Sequence, residues 1–403
     1  MIRKLIALLL LTSSALLLWY VFGNQDQLTP SQRESQAEDP YAPRDWEQER
    51  ESSLNISLYT FRDRNRNGVH DQGDMPMASV LVQLTAPDGT EHSSLSNING
   101  YANFKMALGN TSHPVNQAGT YQFQVQQPPK WQVTSGNAEQ EITFRALPGS
   151  VAELVAEQPP RWVGLAPDLS IALLTANAAK APAQAHPAKL VSPDGESHTL
   201  AATGSGLPNA AAYPGRWLLI TGNEQRSVIV TDAPVSLMPP TPQQAGLAPL
   251  AHTVVENFDW LQRSIIEKIA NGHLTLNWDY LLAVHNQEYR GPGYVNGLTS
   301  GHAVAYNSSG HPVTISAPAG EYFDFVGGYF SLAWPASEGE VLEITAWREG
   351  ELVSSSRLTL SYLGPIWLDA DLRRIDRLTL ATSHYWQFVV DDLMFRLAQP
   401  HVD

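Results

Sequence analysis

Short runs of alternating apolar and polar residues, separated by Gly, Asn, Asp and Pro, recur along most of this 403-residue chain. Alternation places every second side chain on the same face and predicts half-buried β-strands. The clearest candidate strands are residues 54–59, 79–84, 280–284, 313–316, 329–334, 340–347, 353–361, 377–381 and 386–390. One short segment, residues 260–270, instead shows apolar residues near helical spacing and is the helical candidate. The pattern predicts an all-β protein made of tandem β-sandwiches.

The N-terminus has a different pattern. Arg3 and Lys4 precede an uncharged, mostly apolar run at residues 5–22, which is typical of an export signal and is also long enough to span a membrane. Residues 1–23 are therefore predicted to be a membrane or signal helix, either cleaved or retained as an anchor. In both cases the basic start places the rest of the chain across the membrane, so the protein is secreted, displayed on the cell surface or anchored to the inner membrane facing the periplasm. Residues 24–52 are polar and acidic and predict a flexible linker.

Composition excludes several classes of protein. Hydrophobic residues make up 43% of the chain and charged residues 16%, which is too apolar for a disordered protein. A net charge of −15 repels phosphate backbones, so we expect no nucleic-acid partner. The chain contains no Cys, which excludes disulfides and thiol nucleophiles. The common hydrolase, metalloprotease and phosphate-loop motifs do not occur in the sequence, so we predict a non-enzyme with no catalytic residue.

A pattern typical of calcium loops follows the first candidate strand. In residues 63–74, oxygen-bearing side chains stand at loop positions 1, 3, 5, 9 and 12, and Gly68 stands at position 6. A 12-residue loop with this spacing wraps Ca²⁺, with a backbone carbonyl at position 7. The predicted ligands are Asp63, Asn65, Asn67, Val69, Asp71 and Asp74. The alternative is a surface turn rich in Asn, Asp and Gly that binds no metal.

The loop is followed in order by Pro76 and by four short motifs. These motifs are Ser-Val-Leu-Val-Gln-Leu at 79–84, Ala-Pro-Asp-Gly at 86–89, Asn-Ile-Asn-Gly-Tyr-Ala-Asn-Phe at 97–104 and Gly-Thr-Tyr-Gln-Phe at 119–123. Over about residues 54–146 this order resembles the Cna-B or serine–aspartate-repeat B-type domains of bacterial surface adhesins. The resemblance implies a prealbumin-like β-sandwich at 53–150, with structural calcium and a role as a stalk or spacer. The first strand carries no Lys, so the isopeptide bond of some members is not expected.

The next region, residues 151–238, partly repeats the first. Residues 191–199 match 85–93 around a Pro-Asp-Gly turn, and residues 213–220 fall where residues 119–123 would fall in a repeat. This predicts a second small β domain. The alternative is chance, because Pro-Asp-Gly is a common hairpin turn. Residues 239–253 are rich in Pro and predict an interdomain linker.

The last predicted domain, residues 254–403, resembles over about residues 254–397 a β-sandwich domain common in exported PEP-CTERM-type bacterial proteins and, more loosely, jelly-roll carbohydrate-binding modules. The motifs that carry the resemblance are Phe-Asp at 258–259, Leu-Asn-Trp-Asp-Tyr at 276–280, Gly-Tyr-Val-Asn-Gly at 293–297, Ser-Gly-His-Ala-Val-Ala-Tyr-Asn at 300–307, Phe-Asp-Phe at 323–325 and Phe-Val-Val-Asp-Asp-Leu at 388–393. It implies a jelly-roll-like sandwich whose first and last strands lie together, with a second metal site at Glu256, Asp259, Asp391 and Asp392. The alternative is that these acids cap strand ends without metal.

Aromatic residues of this last region suggest a ligand surface. Flat aromatic rings stack on sugar rings, and the candidates are Trp278, Tyr280, Trp334, Trp347 and Trp386; the alternative is that they fill the core. Taken together, the sequence predicts an exported, calcium-stabilised protein of the bacterial cell envelope that adheres to a glycan or protein partner. Two alternatives remain, a scaffold or accessory subunit of an envelope complex with no glycan ligand and, less favoured, an envelope hydrolase.

Overall fold

The computed structural model shows an all-β chain. It describes residues 54–147, 154–174, 188–200, 209–222, 224–241, 243–244, 246–261, 265–286, 288–289 and 291–398. The predicted signal helix and acidic linker lie outside these residues. Within the described part of the chain, no helix is both long and apolar enough to cross a membrane. Ser53–Asp403 groups into one compact unit by its internal contacts.

Ten strands form a first β-sandwich, here called the first unit. They are β1 (Leu54–Arg62), β2 (Met75–Pro76), β3 (Leu81–Thr85), β4 (Glu91–Leu95), β5 (Tyr101–Met106), β6 (Gly119–Val125), β7 (Trp131–Val133), β8 (Glu139–Ala146), β9 (Leu154–Ala156) and β10 (Val163–Pro167). One sheet has the order β2-β1-β10-β7 with β5 also on β1, and the other has the order β4-β3-β6-β8-β9. In β5 and β6 every second side chain is buried, so the alternating sequence supplies the core between the sheets.

Seven strands form a second, smaller unit. They are β11 (Ser170–Leu173), β12 (Ala188–Val191), β13 (Ser197–Leu200), β14 (Asn209–Ala211), β15 (Gly215–Thr221), β16 (Glu224–Val230) and β17 (Val235–Leu237). One of its sheets has the order β13-β12-β15-β16. Its other strands pair in the same way as the first unit's, because β11 is antiparallel to β14 and parallel to β17, as β1 is antiparallel to β5 and parallel to β10. The two units therefore share a topology, which the repeated sequence pattern predicts.

Strand pairing crosses the positions where the sequence places domain boundaries. β9 and β10 follow residue 150, yet β9 pairs with β8 and β10 pairs with β1. The first sandwich thus draws its last two strands from the segment assigned to the second domain.

The rest of the chain, here called the third region, forms a larger sandwich. Its strands are β18 (His252–Glu256), β19 (Ile266–Lys268), β20 (Asn277–Asp279), β21 (Leu281–His285), β22 (Ala303–Asn307), β23 (Val313–Ser316), β24 (Phe323–Leu332), β25 (Val341–Arg348), β26 (Glu351–Thr359), β27 (Ile366–Ile375), β28 (Arg377–Thr382) and β29 (Phe388–Leu397). A short helix, α1 (Pro292–Gly297), and the 3₁₀ turns His273–Thr275, Ser308–Gly310 and Pro335–Ser337 connect them.

The two sheets of the third region differ in extent. One has five strands in the order β20-β23-β28-β25-β26. The other runs β27-β24-β29-β22-β21-β19, with β18 paired to β29, and continues through β17 into the second unit as a ten-stranded sheet. The second unit and the third region are therefore joined by a parallel β17–β27 pair as well as by the chain between them. As the resemblance implies, the first and last strands of the third region pair, with Glu256 opposite Leu393.

The helix predicted at residues 260–270 is wrong where the structure describes it. Ile266–Lys268 is strand β19, which pairs with β21 at the edge of the large sheet. Ile265 and Ile266 remain 52% and 39% exposed. The helical spacing of the apolar residues does not decide the structure here. Pairing with β21 satisfies backbone hydrogen bonds that a short helix would otherwise have to make internally.

Candidate functional site

The predicted calcium loop begins where β1 ends. Asp63 is only 1% exposed, and its two carboxylate oxygens accept hydrogen bonds from the backbone N–H groups of Asn67 at 3.2 Å and Gly68 at 2.8 Å. Gly68 has φ of +75°, and a Cβ there would lie 2.8 Å from the carbonyl oxygen of Thr134. Glycine at loop position 6 is thus required both by the turn and by the neighbouring backbone.

Hydrogen bonds link the remaining oxygen-bearing side chains of the loop. The Asp71 carboxylate accepts hydrogen bonds from the side-chain amides of Asn65, at 3.1 and 3.2 Å, and Asn67, at 2.7 Å. The Asp74 carboxylate accepts from the backbone N–H groups of Arg64 and Asp71, both at 3.0 Å. Val69 is an exposed residue whose N–H donates to the Asn67 side chain at 2.8 Å. All six predicted ligands therefore belong to one hydrogen-bonded loop.

The chemistry of these six candidate ligands fits Ca²⁺. Three carboxylates, two amides and a backbone carbonyl form the set of hard oxygen ligands that this ion prefers. Among the described residues, no group of three or more His, Asp or Glu side chains is arranged to hold a metal ion. A site in this loop would therefore depend on its amide and carbonyl oxygens as well as on the acids, which is the usual composition of a calcium loop.

The arginines that flank Asp63 point away from the loop. Nη2 of Arg62 and Nε of Arg64 each lie 2.6 Å from one carboxylate oxygen of Asp232, which precedes β17. Arg62 also donates to the carbonyl of Leu298 at 3.4 Å, and Arg64 to that of Thr299 at 2.7 Å. This group of residues, here called the junction, connects the first unit, the second unit and the third region.

The ion pairs of Asp232 at the junction are strong, and the sequence does not indicate them. Burial alone would raise the pKa of Asp232, but the Arg62 and Arg64 guanidiniums outweigh it and hold the pKa well below its ordinary value. The partners are 170 and 168 residues apart in sequence, so no local pattern indicates the pairing.

Three of the four acids predicted as a second metal site gather around residues 299–303. The carboxylate of Asp391 accepts from the backbone N–H groups of Thr299 at 2.6 Å and Ser300 at 3.0 Å. Asp392 accepts from the Ser300 hydroxyl at 2.7 Å, and Asp259 accepts from the His302 N–H at 2.8 Å. Burial, with the nearby Asp392 charge second, raises the pKa of Asp391 well above its ordinary value. These acids cap one loop with hydrogen bonds, in line with the non-metal alternative.

The fourth acid, Glu256, is directed elsewhere. Its carboxylate accepts from the Phe258 N–H at 2.7 Å and the Trp260 indole at 3.0 Å, and it contacts the His273 ring. Glu256 therefore stabilises the turn after β18 and has no hydrogen bond with residues 299–303 among those described.

The five aromatic candidates do not form one surface. Trp278 is 1% exposed and lies in the core, where it donates to the His273 carbonyl at 2.9 Å. Trp334 is partly buried and donates to Gln387 at 2.7 Å, while Trp347, on the opposite sheet, lies 4.7 Å from the Arg377 guanidinium. Tyr280 is 44% exposed and packs against His311. Trp386 is half-buried.

Comparison with known proteins identifies no family for this chain. No protein-family model and no curated protein matches this chain. Among solved structures, the K2 cleaved adhesin domain of Lys-gingipain is similar over 36% of this chain and 98% of its own, at 10% identity and a TM-score of 0.24. The CBM22 tandem domain of Paenibacillus barcinonensis Xyn10C covers 40% and 49%, at 10% identity and 0.24. The shaft pilin SpaA of Lactobacillus rhamnosus GG covers 49% and 99%, at 10% identity and 0.19. These TM-scores are too low to support an argument from similarity, so the description of the fold rests on the chain's own strand pairings.

Proposed function

We propose that this chain is a non-enzymatic, exported protein of the bacterial cell envelope that recognises a glycan or protein partner, and that calcium in residues 63–74 stiffens it. The observation that carries the proposal is the position of the loop. Its six candidate ligand residues belong to one hydrogen-bonded loop, while Arg62 and Arg64, beside the first of them, reach the other two parts of the molecule at Asp232 and Thr299. Export rests on the basic and apolar pattern of residues 1–23.

The metal has a mechanical role in this proposal. A bound cation would link the oxygen ligands of residues 63–74 and fix the backbone between β1 and β2. Because Arg62 and Arg64 lie in and next to that backbone, a fixed loop holds their guanidiniums at the junction. The free energy of metal binding thereby stabilises the arrangement of the units.

The junction also suits the alternative function, a scaffold subunit of an envelope complex. Buried ion pairs and hydrogen bonds that join three parts of one chain suit a spacer as well as a recognition protein. The two functions differ in whether the chain binds a glycan, a protein or a cell surface by itself. A screen of residues 24–403 against glycans and cell surfaces, in calcium and in excess EDTA, separates them. Saturable binding supports recognition, and absence of binding together with stable co-purification of envelope proteins supports the scaffold.

The calcium part of the proposal is tested by Asp71→Asn. Among the described residues, the carboxylate of the exposed Asp71 accepts only from side-chain amides, so the isosteric amide keeps one acceptor oxygen and loses only exposed hydrogen bonds of the metal-free loop. We expect calcium to raise the melting temperature of the wild type, by the equivalent of about 3 kcal/mol at a hundredfold excess over Kd. Asp71→Asn loses most of this increase, and in EDTA it melts only slightly below the wild type.

The matched control is Glu91→Gln, which removes one exposed carboxylate from the same unit outside the loop. It should keep the full calcium-dependent increase. A wild type that melts at the same temperature in calcium and in EDTA, or an Asp71→Asn variant that keeps the increase, contradicts calcium binding in this loop.

A further inference from the structure

Three aromatic side chains form a row across the first unit, here called the aromatic row. Tyr59 lies on β1, Tyr101 is its partner on β5, and Trp162 directly precedes β10, on the other side of β1. The ring centroids of Tyr101 and Trp162 lie 4.9 and 5.4 Å from that of Tyr59. The ring of His70, from the candidate calcium loop, packs beside the row at 5.2 Å from Tyr59 and 4.8 Å from Trp162. Four separate segments of the chain thus bring rings to one place.

The aromatic row lies on the solvent face of its sheet. Leu58 and Ala102, which precede Tyr59 and follow Tyr101, are fully buried in the core between the sheets, so alternation directs the two tyrosines to the opposite face. Tyr101 is 41% exposed and Trp162 is 51% exposed. Large aromatic side chains bury most of their surface in ordinary cores. Two exposed rings held against a third therefore indicate a contact surface for a partner.

Hydrogen-bonding side chains adjoin the aromatic row. Ser57 and Asn103 are opposite each other on β1 and β5, two residues from Tyr59 and Tyr101, and so share their face. The Ser57 hydroxyl donates to Oδ1 of the exposed Asn103 at 2.6 Å. This bond orients the amide, whose Nδ2 has no acceptor among the described residues and faces solvent. An accessible donor therefore stands next to the exposed rings.

Exposed rings beside an amide donor fit a neutral sugar. A sugar ring offers apolar C–H groups, which stack on aromatic faces, and hydroxyl groups, which both accept and donate hydrogen bonds. Proline-rich peptides also bind aromatic residues, but they dock into aromatic-lined grooves, and neighbouring rings of this row are in contact. Ionic ligands are not favoured, because the side chains of Ser57, Tyr59, Tyr101, Asn103 and Trp162 carry no charge at neutral pH.

We propose that the aromatic row binds a neutral oligosaccharide. Tyr101 and Trp162 lie on either side of β1, roughly 10 Å apart by the spacing of strands, so each stacks on a different sugar of one chain. Asn103 Nδ2 donates to a hydroxyl of the sugar on Tyr101. The inference rests on the proposed recognition function and places it on the first unit, away from the aromatic candidates of the third region.

The test is saturation-transfer NMR on the full chain in calcium, with cellotetraose, maltotetraose, mannotetraose and acetylated chitotetraose as separate probes. We expect at least one tetrasaccharide to bind the wild type. Trp162→Ala removes one stacking surface and should weaken binding by about tenfold or more, while Trp162→Phe, which keeps a ring, should weaken it by about two- to fivefold. The control, Tyr213→Ala, removes a tyrosine of similar exposure, 42%, from the second unit and should bind like the wild type.

A second variant guards against misfolding of the first. Asn103→Asp keeps an acceptor for the Ser57 hydroxyl but removes the exposed donor, so it should weaken binding by about two- to fivefold with little change in melting temperature. If no tetrasaccharide binds the wild type, or if a polyproline peptide binds in their place, the proposal is overturned. If glycans bind in the surface screen but Trp162→Ala and Asn103→Asp bind them like the wild type, the aromatic row is the wrong site while the recognition function stands.

Discussion

The first and second units share a topology and two local features, a turn packed against a glycine and a hydrogen bond from an aromatic side chain to the backbone. Only the first unit carries the candidate calcium loop. In both units a Pro-Asp-Gly turn packs against the glycine that begins the partner strand. A Cβ on Gly119 would lie 2.7 Å from the ring of Pro87, and one on Gly215 would lie 2.8 Å from the ring of Pro193. The two glycines have φ of +146° and +148°. The repeat is therefore reproduced in detail.

The second shared feature is a hydrogen bond made by the aromatic residue two positions after that glycine. The Tyr121 hydroxyl donates to the Gln117 carbonyl at 3.1 Å, and the Trp217 indole donates to the Tyr213 carbonyl, also at 3.1 Å. In each unit a buried aromatic residue thus bonds to the backbone four residues before it. The aromatic residue differs, but the bond to the incoming loop is the same.

The difference between the units lies in the connection after their first strands. In the first unit, residues 63–74 carry Asp63, Asp71 and Asp74. In the second, residues 175–187 contain neither Asp nor Glu and lie outside the described residues. Because the second unit reaches the same pairing of its core strands without an acidic loop, this strand pairing does not by itself require such a loop. The proposed role of the loop therefore lies at the junction beside it.

The largest expected effect comes from breaking the junction with Asp232→Asn. The side chains of Arg62 and Asp232 are 3% and 7% exposed, so the variant leaves buried guanidinium charge without a counterion. Removing one partner of a buried ion pair costs about 3–5 kcal/mol. Urea denaturation at pH 7 should show this loss in the free energy of unfolding. Glu343→Gln, which breaks the exposed pair with Arg357, should cost less than about 1 kcal/mol.

Acid provides an independent check on the same residue. Because the folded-state pKa of Asp232 is lowered, its contribution to stability is complete above the unfolded carboxyl pKa of about 4 and is lost as the pH falls below that value. The difference between wild type and Asp232→Asn should therefore be constant from pH 5 to 7 and should shrink progressively below about pH 4. A difference that is the same at low and neutral pH would show that the lost stability does not come from the ion pair.

A smaller effect tests whether the two units are true structural equivalents. Gly119→Ala and Gly215→Ala each place a methyl group against a proline ring at positive φ, which should cost about 2–4 kcal/mol in either unit. Gly89→Ala and Gly195→Ala are the controls, since both also have positive φ but nothing lies within 4 Å of the added Cβ. They should cost only the backbone part, about 1–2 kcal/mol. Unequal losses at Gly119 and Gly215, measured by urea denaturation, would contradict equivalence.

The same comparison shows which features a sequence can predict. Alternation and turn residues are local, so β23 (Val313–Ser316) falls where it was predicted, and both Pro-Asp-Gly segments lie between paired antiparallel strands. The oxygen spacing of residues 63–74 is also local, and the structure places those residues in one hydrogen-bonded loop. The calcium itself remains a prediction.

The features that escaped prediction depend on distant partners. Ile266 belongs to an edge strand only because β21 lies beside it, and Trp278 is a core residue because Phe395, on β29, packs at a right angle to it. Asp232 is an unremarkable polar residue in sequence. It becomes important through Arg62, which only the fold brings near it.

The smallest expected effect concerns the shared bond to the backbone. Tyr121→Phe removes the hydroxyl that donates to the Gln117 carbonyl and accepts from the N–H groups of Asn116 and Gln117, both at 3.3 Å. The ring stays in the core, so the loss should be that of a hydrogen bond, about 0.5–1.5 kcal/mol in urea denaturation. Trp217→Phe removes the equivalent bond together with part of the ring and should cost more, about 1–3 kcal/mol. A Tyr121→Phe variant as stable as the wild type would mean that water replaces the hydroxyl, and that packing alone holds this loop in the first unit.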